Sequence, residues 1–509
     1  MKESVCIKNN EALALARIPK LSFDSFRDTL SGLMDSEGEV LACFVTNRPT
    51  DGTPQELELL TLIGRRASKD IAVLRCPLAA SYPALTCRWP QFHLFERELA
   101  EQYGVTPEGH PWLKPVRFHQ VWQGNRDAWG RDPKLHPLVA DMDYFQVEGD
   151  EIHEVGVGPV HAGIIEPGHF RFQCFGEKVL HLEISLGFQH RGAEKLFIGG
   201  PHAATACQME TMAGDTSVGH MLAYSQVMES LGDLQLSKAA QDLRIIALEL
   251  ERLANHVGDI GALAGDIGFL PTASYNGRLR GDYLNMTALL CGSRFGRGLV
   301  RPGGCLFTLD SVRRDQLKKA LELANKNTIG AVNLFFRAPS VLSRLENTGQ
   351  VNRKDALDIG LTGVAGRACD LDTDSRRVYP PANATGDEYP LIGGDSGDVF
   401  ARAQVRRLEI TAATDLIREK LACLSNDPVL VKIAAPRPEM LAVSLVEGWR
   451  GRLAHVALTD GLGKLRRYKV VDPSFYNWTG LALAMRDEQI SDFPLCNKSF
   501  NLSYCGFDL

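Results

Sequence analysis

Apolar positions along the chain recur with two periods. The short β-branched runs Glu39-Val-Leu-Ala-Cys-Phe-Val-Thr and Ile71-Ala-Val-Leu-Arg-Cys predict strands. Between them, Glu56 to Arg66 is mixed and predicts neither strand nor helix. Phe95, Leu99 and Tyr103 are four apart and mark one face of a short helix that Gly104 would end. The acidic and basic residues between them read as its solvated face. Residues 112–150 carry Trp112, Trp122 and Trp129 among Pro, Gly, Arg and Asp without a sustained period, and read as an ordered connector.

From Val155 onward, glycines and prolines punctuate short runs, and Val179 to Ile184 reads as a strand, so a small β element is expected. Helical spacing then takes over in Ser217–Leu231, Ala239–Ile267 and Arg278–Gly292. After the break at Arg301-Pro-Gly-Gly it resumes in Ser311–Asn325 and Ala403–Cys423. Residues 365–396, rich in Asp, Gly and Pro, predict a long ordered loop. The C-terminal part predicts strands over Leu453–Leu458 and Lys464–Val470 and a short helix over Trp478–Met485. The expected class is α+β: a small N-terminal α+β module (1–135), a connector (136–153) and a mostly helical unit with peripheral β elements (154–509). Arg252 and His256 lie one turn apart, suited to pairing helices rather than to holding a ligand.

Composition narrows the function. A chain of 509 residues, 44% hydrophobic and 23% charged, has material for two or more domains. Its net charge of −6 gives no support for nucleic-acid binding, and Arg376-Arg377 and Arg406-Arg407 read as solvated or paired faces. The N-terminus lacks the apolar core of a signal peptide, and no run of about 18 apolar residues predicts a membrane span. The twelve cysteines include no C-x-x-C pair, so most are expected to be reduced and buried, with Cys207 and Cys496 structural. No G-x-G-x-x-G follows a strand, so no NAD site is expected.

The stretch Met209-Glu-Thr-Met-Ala-Gly-Asp-Thr-Ser-Val-Gly-His220 has the form of a metal-ligand loop without ligands. Ala213 and Thr216 stand three apart ahead of an amphipathic run, where two cysteines would hold a soft metal and an alanine and a threonine cannot.

Two blocks carry a family resemblance. Tyr82-Pro-Ala-Leu-Thr, Phe95-Glu-Arg-Glu and Pro107-Glu-Gly-His-Pro resemble the small hydrophilic subunit of respiratory complex I and its hydrogenase relatives, a module that packs on a larger subunit. Gly158-Pro-Val-His-Ala-Gly, Glu166-Pro-Gly-His-Phe-Arg-Phe, His190-Arg-Gly-Ala-Glu-Lys, Glu251-Arg-Leu-Ala-Asn-His, Arg301-Pro-Gly-Gly and Asp492-Phe-Pro-Leu-Cys-Asn-Lys-Ser-Phe-Asn-Leu-Ser-Tyr resemble the large subunit of energy-converting nickel–iron hydrogenases and of complex I. The fused arrangement is most similar to formate hydrogenlyase-type large subunits.

The resemblance implies where a nickel–iron centre would be held by four thiolates, one pair in a C-G-x-C motif that a His follows after three residues and the other in a C-terminal C-x-x-C. This chain has Ala213 and Thr216 at the first pair, with His220 kept, and Ser503 and Gly506 at the second; Cys505 is one residue out of register. No C-terminal extension of the kind such hydrogenases lose follows Leu509. The implied reading is a metal-free subunit. Glu166 matches the family's proton-passing carboxylate, and Arg450 matches the arginine beside the diatomic ligands; either could relay protons in the cleft, or they could pair with each other or with nearby backbone. His161 and His169 both match the quinone-headgroup histidine of complex I, whose tyrosine is replaced here by Gly214. A quinone or another carrier is the candidate occupant. The expected partners are an iron–sulfur small subunit, carrying the cluster, and membrane subunits of antiporter and anchor type. The expected place is the cytoplasmic face of the inner membrane, in an oxidoreductase complex coupling electron transfer to ion movement. The rival expectation is a scaffold subunit without chemistry.

Overall fold

The computed structural model describes residues 4–47, 56–122, 126–382 and 384–509. Residues 1–3 of the N-terminus, 123–125 of the connector and 383 of the expected long loop lie outside them. The N-terminal unit is a four-stranded antiparallel sheet in the order Val5–Ile7, Asp70–Pro77, Leu57–Arg65, Glu39–Asn47. The mixed stretch is therefore a central strand: Leu59, Leu60, Leu62 and Ile63 are all fully buried, because the strand has a partner on each edge and cover on both faces.

Helix Phe23–Met34 and helix His93–Tyr103 pack on this sheet. The second ends at Gly104, whose φ of +68° allows its N–H to close on the Ala100 carbonyl. Its charged residues are not solvated. Glu96, Glu98 and Glu101 are at most 3% exposed and Arg97 is 7% exposed. Glu96 accepts the N–H groups of Leu85 and Thr86, and Glu101 accepts those of Val116, Arg117 and Phe118. Glu98 takes Lys469 Nζ at 2.6 and 2.7 Å and Arg117 Nη1 at 3.0 Å. The helical period marks one apolar face correctly, but the opposite face is covered by the connector and by a strand of the second unit.

That strand, Leu465–Val471, belongs to a sheet in the order Leu465–Val471, Arg452–Thr459, Met440–Glu447, Ala12–Ala14. Its last member comes from the N-terminus, Leu13 pairing with Leu441, so residues 5–14 contribute to both sheets. Met440–Glu447, unexpected from the sequence, is central in this sheet. The small β element is a three-stranded sheet of Ile152–Val157, His169–Phe175 and Lys178–Ser185. Between Thr106–Glu108 and Ile152–Val157 the described backbone has no helix or strand.

The helical body is built on Lys238–Asp266, flanked by Leu270–Cys291 and Val399–Cys423. Helix Ser311–Arg337 runs further than the periodicity indicated, and the loop after Leu361 contains the short helices Gly363–Arg367 and Ser375–Val378. Arg252, His256 and Asp259 share one face of the central helix. Arg252 and His256 both reach Glu409, at 3.2 and 2.7 Å, and Asp259 takes Arg406 at 2.7 Å, zipping this helix to Val399–Cys423. Arg376 pairs with Asp374 and Glu249. Buried charges here are paired because an unpaired one would cost several kcal/mol, roughly 3–5. Cys43, Cys76, Cys174, Cys305, Cys369 and Cys496 are buried, whereas Cys6, Cys87, Cys207 and Cys423 are exposed. Cys207, expected inside, lies at the surface in the five-residue helix Thr205–Met209.

Lys469→Met should leave Glu98 and Glu194 buried without this shared cation. A loss of about 3–5 kcal/mol in chemical denaturation is expected. Removing the exposed Arg88–Asp35 pair with Arg88→Ala should cost at most about 1 kcal/mol.

Candidate functional site

Two stretches far apart in sequence meet at one place. Helix Ser217–Leu231 starts just after the 213–216 loop, and its first N–H groups need acceptors. Glu251 of the central helix supplies them, accepting Val218 N–H at 2.7 Å and Gly219 N–H at 3.1 Å. Burial, with repulsion from Asp215, pushes the Glu251 carboxyl up to about 8 despite those bonds.

Asp215 is gripped by Arg450 in a two-pronged pair, Nη1 to Oδ1 at 2.6 Å and Nη2 to Oδ2 at 2.7 Å. Burial would raise the Asp215 carboxyl, but the guanidinium holds it below its ordinary range. Arg450 lies 3.9 Å over the Trp449 ring, and Trp449 Nε1 donates to the Asp215 carbonyl and to Thr216 Oγ1, each at 3.1 Å. Arg450 Nε donates to the Asn501 carbonyl, which brings in the C-terminal stretch. Arg191, from the His-Arg-Gly motif, makes a second bridge: it donates to the carbonyls of Thr211, Met212 and Cys505 at 2.7, 2.9 and 3.3 Å. Arg450 therefore pairs with Asp215 and backbone, and no hydrogen bond or ion pair joins it to Glu166 among the described residues.

Ala213, Thr216 and Ser503 are buried. Ser503 Oγ accepts Gly506 N–H at 2.9 Å and caps helix Tyr504–Asp508. A Cβ added to Gly506 would stand 2.7 Å from Asp472 Oδ2 and 2.9 Å from Ser503 Oγ. The Asp472 carboxylate is fixed there by His220 Nε2 at 3.1 Å and Ser474 N–H at 2.8 Å.

Glu166 is half-buried and faces Cys505. The Cys505 thiol is pushed up to about 11 by burial and by the Glu166 charge, so it stays protonated; Ser503 and the Gly214 backbone also contact it. Asp508, pushed up to about 6 by burial with Glu166 adding to the effect, accepts the N–H groups of Gly187 and Gln189. His161 Nε2 bonds the Gly168 carbonyl at 2.9 Å, and His169 Nδ1 bonds the Gly158 carbonyl at 3.2 Å. Both rings thus hold the 158–169 hairpin together, and neither bonds Glu166 among the described residues. Asp215, Glu251 and Asp472 escaped the sequence reading. Asp472-Pro473 is a recognisable helix start, which signals a cap but not its proximity to Gly506.

The Glu251 carboxyl binds its proton more tightly in the folded chain than at its unfolded value of about 4.3. Its contribution to stability should therefore fall as pH rises from there through about 8, by up to about 1.4 kcal/mol per pH unit. Denaturation midpoints across pH 5–8 should decline less steeply in Glu251→Gln than in the wild type.

Comparison with known proteins places the chain among oxidoreductase subunits. Residues 266–440 match the family described as respiratory-chain NADH dehydrogenase, 49 Kd subunit, and residues 20–144 match the 30 Kd subunit. The carbon monoxide-induced hydrogenase of Rhodospirillum rubrum is 30% identical over 353 residues, covering 69% of this chain and 97% of that protein. Formate hydrogenlyase subunit 5 of Escherichia coli is 28% identical, covering 84% of this chain and 77% of that protein. In the solved membrane-bound sulfane sulfur reductase, an archaeal respiratory membrane complex, one chain shares the fold with a TM-score of 0.66 at 22% identity, covering 70% of this chain and 99% of that one. Among the described residues no helix is long and apolar enough to cross a membrane. The chain belongs to the oxidoreductase-subunit family of the carbon monoxide-induced hydrogenase and of the 49 Kd subunit of respiratory-chain NADH dehydrogenase, and it also carries a region of the separate 30 Kd subunit family.

Proposed function

We propose that this chain is the metal-free large subunit of a membrane-associated, complex I-like oxidoreductase complex that couples electron transfer to ion translocation. The carrying observation is the state of the four positions where thiolates would stand. Ala213 offers a methyl group, Thr216 a hydroxyl already bonded to Trp449, Ser503 a hydroxyl that caps a helix, and Gly506 a hydrogen facing a carboxylate. Nickel and iron need soft sulfur donors, and this donor set does not fit them. No group of three or more His, Cys, Asp or Glu among the described residues is arranged for a metal.

On this reading electrons arrive from an iron–sulfur small subunit seated on the face bearing 207–220 and the C-terminal stretch, and antiporter- and anchor-type membrane subunits lie beneath, at the cytoplasmic face of the inner membrane. Glu166 is the carboxylate that exchanges protons with the cleft, while Arg450 acts as a clamp. A quinone is the candidate carrier. A Cβ at Gly214 would meet no atom within 4 Å, so there is open space where complex I carries its tyrosine. One observation favours the rival scaffold reading: His161 and His169 already use their rings to hold the hairpin.

Metal analysis of the purified complex should find no stoichiometric nickel, and nickel at one per chain would overturn the reading. In the same complex, Glu166→Gln and His161→Ala should lower quinone-dependent turnover without loss of assembly. Unchanged turnover would instead favour the scaffold.

A further inference from the structure

Behind the cleft, four side chains form one hydrogen-bonded series. Tyr468 OH meets His455 Nδ1 at 2.9 Å, His455 Nε2 meets His220 Nδ1 at 3.0 Å, and His220 Nε2 meets Asp472 Oδ2 at 3.1 Å. All four side chains are at most 1% exposed. They come from strands Leu465–Val471 and Arg452–Thr459, helix Ser217–Leu231 and the cap of helix Pro473–Ala484.

Donor arithmetic restricts the states of this series. Burial would raise Asp472, but the bond from His220 and the charge of Arg450 keep it below its ordinary range, so it is an ionised acceptor and His220 Nε2 carries a proton. His220 Nδ1 and His455 Nε2 then share one proton between them. If that proton sits on His455, both imidazoles are neutral, and the free Nδ1 of His455 accepts the Tyr468 hydroxyl. If it sits on His220, that ring is an imidazolium, and His455 must carry its own proton on Nδ1 and donate to the phenol oxygen.

We propose that the series is a one-proton site: uptake of a proton from water charges His220 against Asp472 and switches His455 between its two neutral tautomers. One H+ enters, the summed charge of the four side chains goes from −1 to 0, and only N–H and O–H bonds form or break. The His455 Nε2 proton passes to His220 Nδ1, His455 Nδ1 gains one, and the phenol turns from donor to acceptor. Burial and the neighbouring His220 hold the His455 imidazole well below its ordinary value, which suits a ring that relays without charging. Arg450 faces Asp472 and opposes the added charge, while Glu194 faces His455 and favours it. Tyr224 lies beside Tyr468, Ser474 bonds Asp472, and Glu251 sits at the start of the His220 helix. The carboxylate end fills the space at Gly506, so a charged His220 lies directly behind the cleft and can offset negative charge arriving there. That use rests on the function proposed above; the protonation switch does not.

The test is nitrogen-15 NMR of the full chain with labelled histidine between pH 5 and 9, with His455→Gln and Asp472→Asn used to assign the two rings. The expected result is one shared midpoint, at which His220 loses its charge and His455 changes from the Nδ1–H to the Nε2–H tautomer without ever becoming an imidazolium. Separate midpoints, a single His455 tautomer throughout, or a His220 of constant charge would each overturn the proposal, whatever metal analysis or turnover measurements show.

Discussion

The site depends on the fork between Arg450 and Asp215. One guanidinium joins the 213–216 loop, the Trp449 turn and, through the Asn501 carbonyl, the C-terminal stretch. Asn501 continues the link, its amide donating to Asp259, which also takes Arg406 of the next helix. Charges removed from water cost several kcal/mol unless paired with good geometry, so such a network adds little net stability. It does determine which segments lie together. Planar, two-pronged pairing tolerates little displacement, and Arg191 repeats the arrangement with three backbone carbonyls.

Around that frame, three of the four positions where the family would place a thiolate have a local reason for their present residue. Ser503 caps a short helix, Thr216 accepts the Trp449 indole, and Gly506 leaves room for Asp472. On the proposed reading, hydrogen bonds and carboxyl groups stand in the cleft where sulfur ligands would be. Glu166, Glu251 and Asp508 all lie near it, and burial raises the last two toward neutral pH. Groups that titrate near neutrality can accept and release protons in the working range.

The same principle joins the two units. Helix His93–Tyr103 has acids on the side that a free helix would expose, and each is matched by a backbone N–H or a cation from elsewhere in the chain. Strand Ala12–Ala14 adds backbone pairing to the C-terminal sheet. One large apolar core accordingly extends from Ile7 to Leu509, beside a small separate cluster of Val364, Ala368, Ala401 and Val405.

The sequence by itself determined the elements whose residue types and spacing carry a local signal. Helix Ser217–Leu231 is readable from apolar residues at helical spacing and the strand at Glu39 from its β-branched apolar run, although both are buried on nearly every side, and Gly104 is a stop because of its backbone freedom. That Ala213 and Ser503 carry no sulfur was also legible, since it concerns residue identity. Leu57–Arg65 and Met440–Glu447 were not readable, because strands covered on both faces lose their alternation. The partners of Glu98, Arg450 and His220 were decided only by tertiary structure. Lys469 lies 371 residues from Glu98, Asp215 lies 235 from Arg450 and Asp472 lies 252 from His220, and a charged side chain carries no local mark of which distant group will satisfy it.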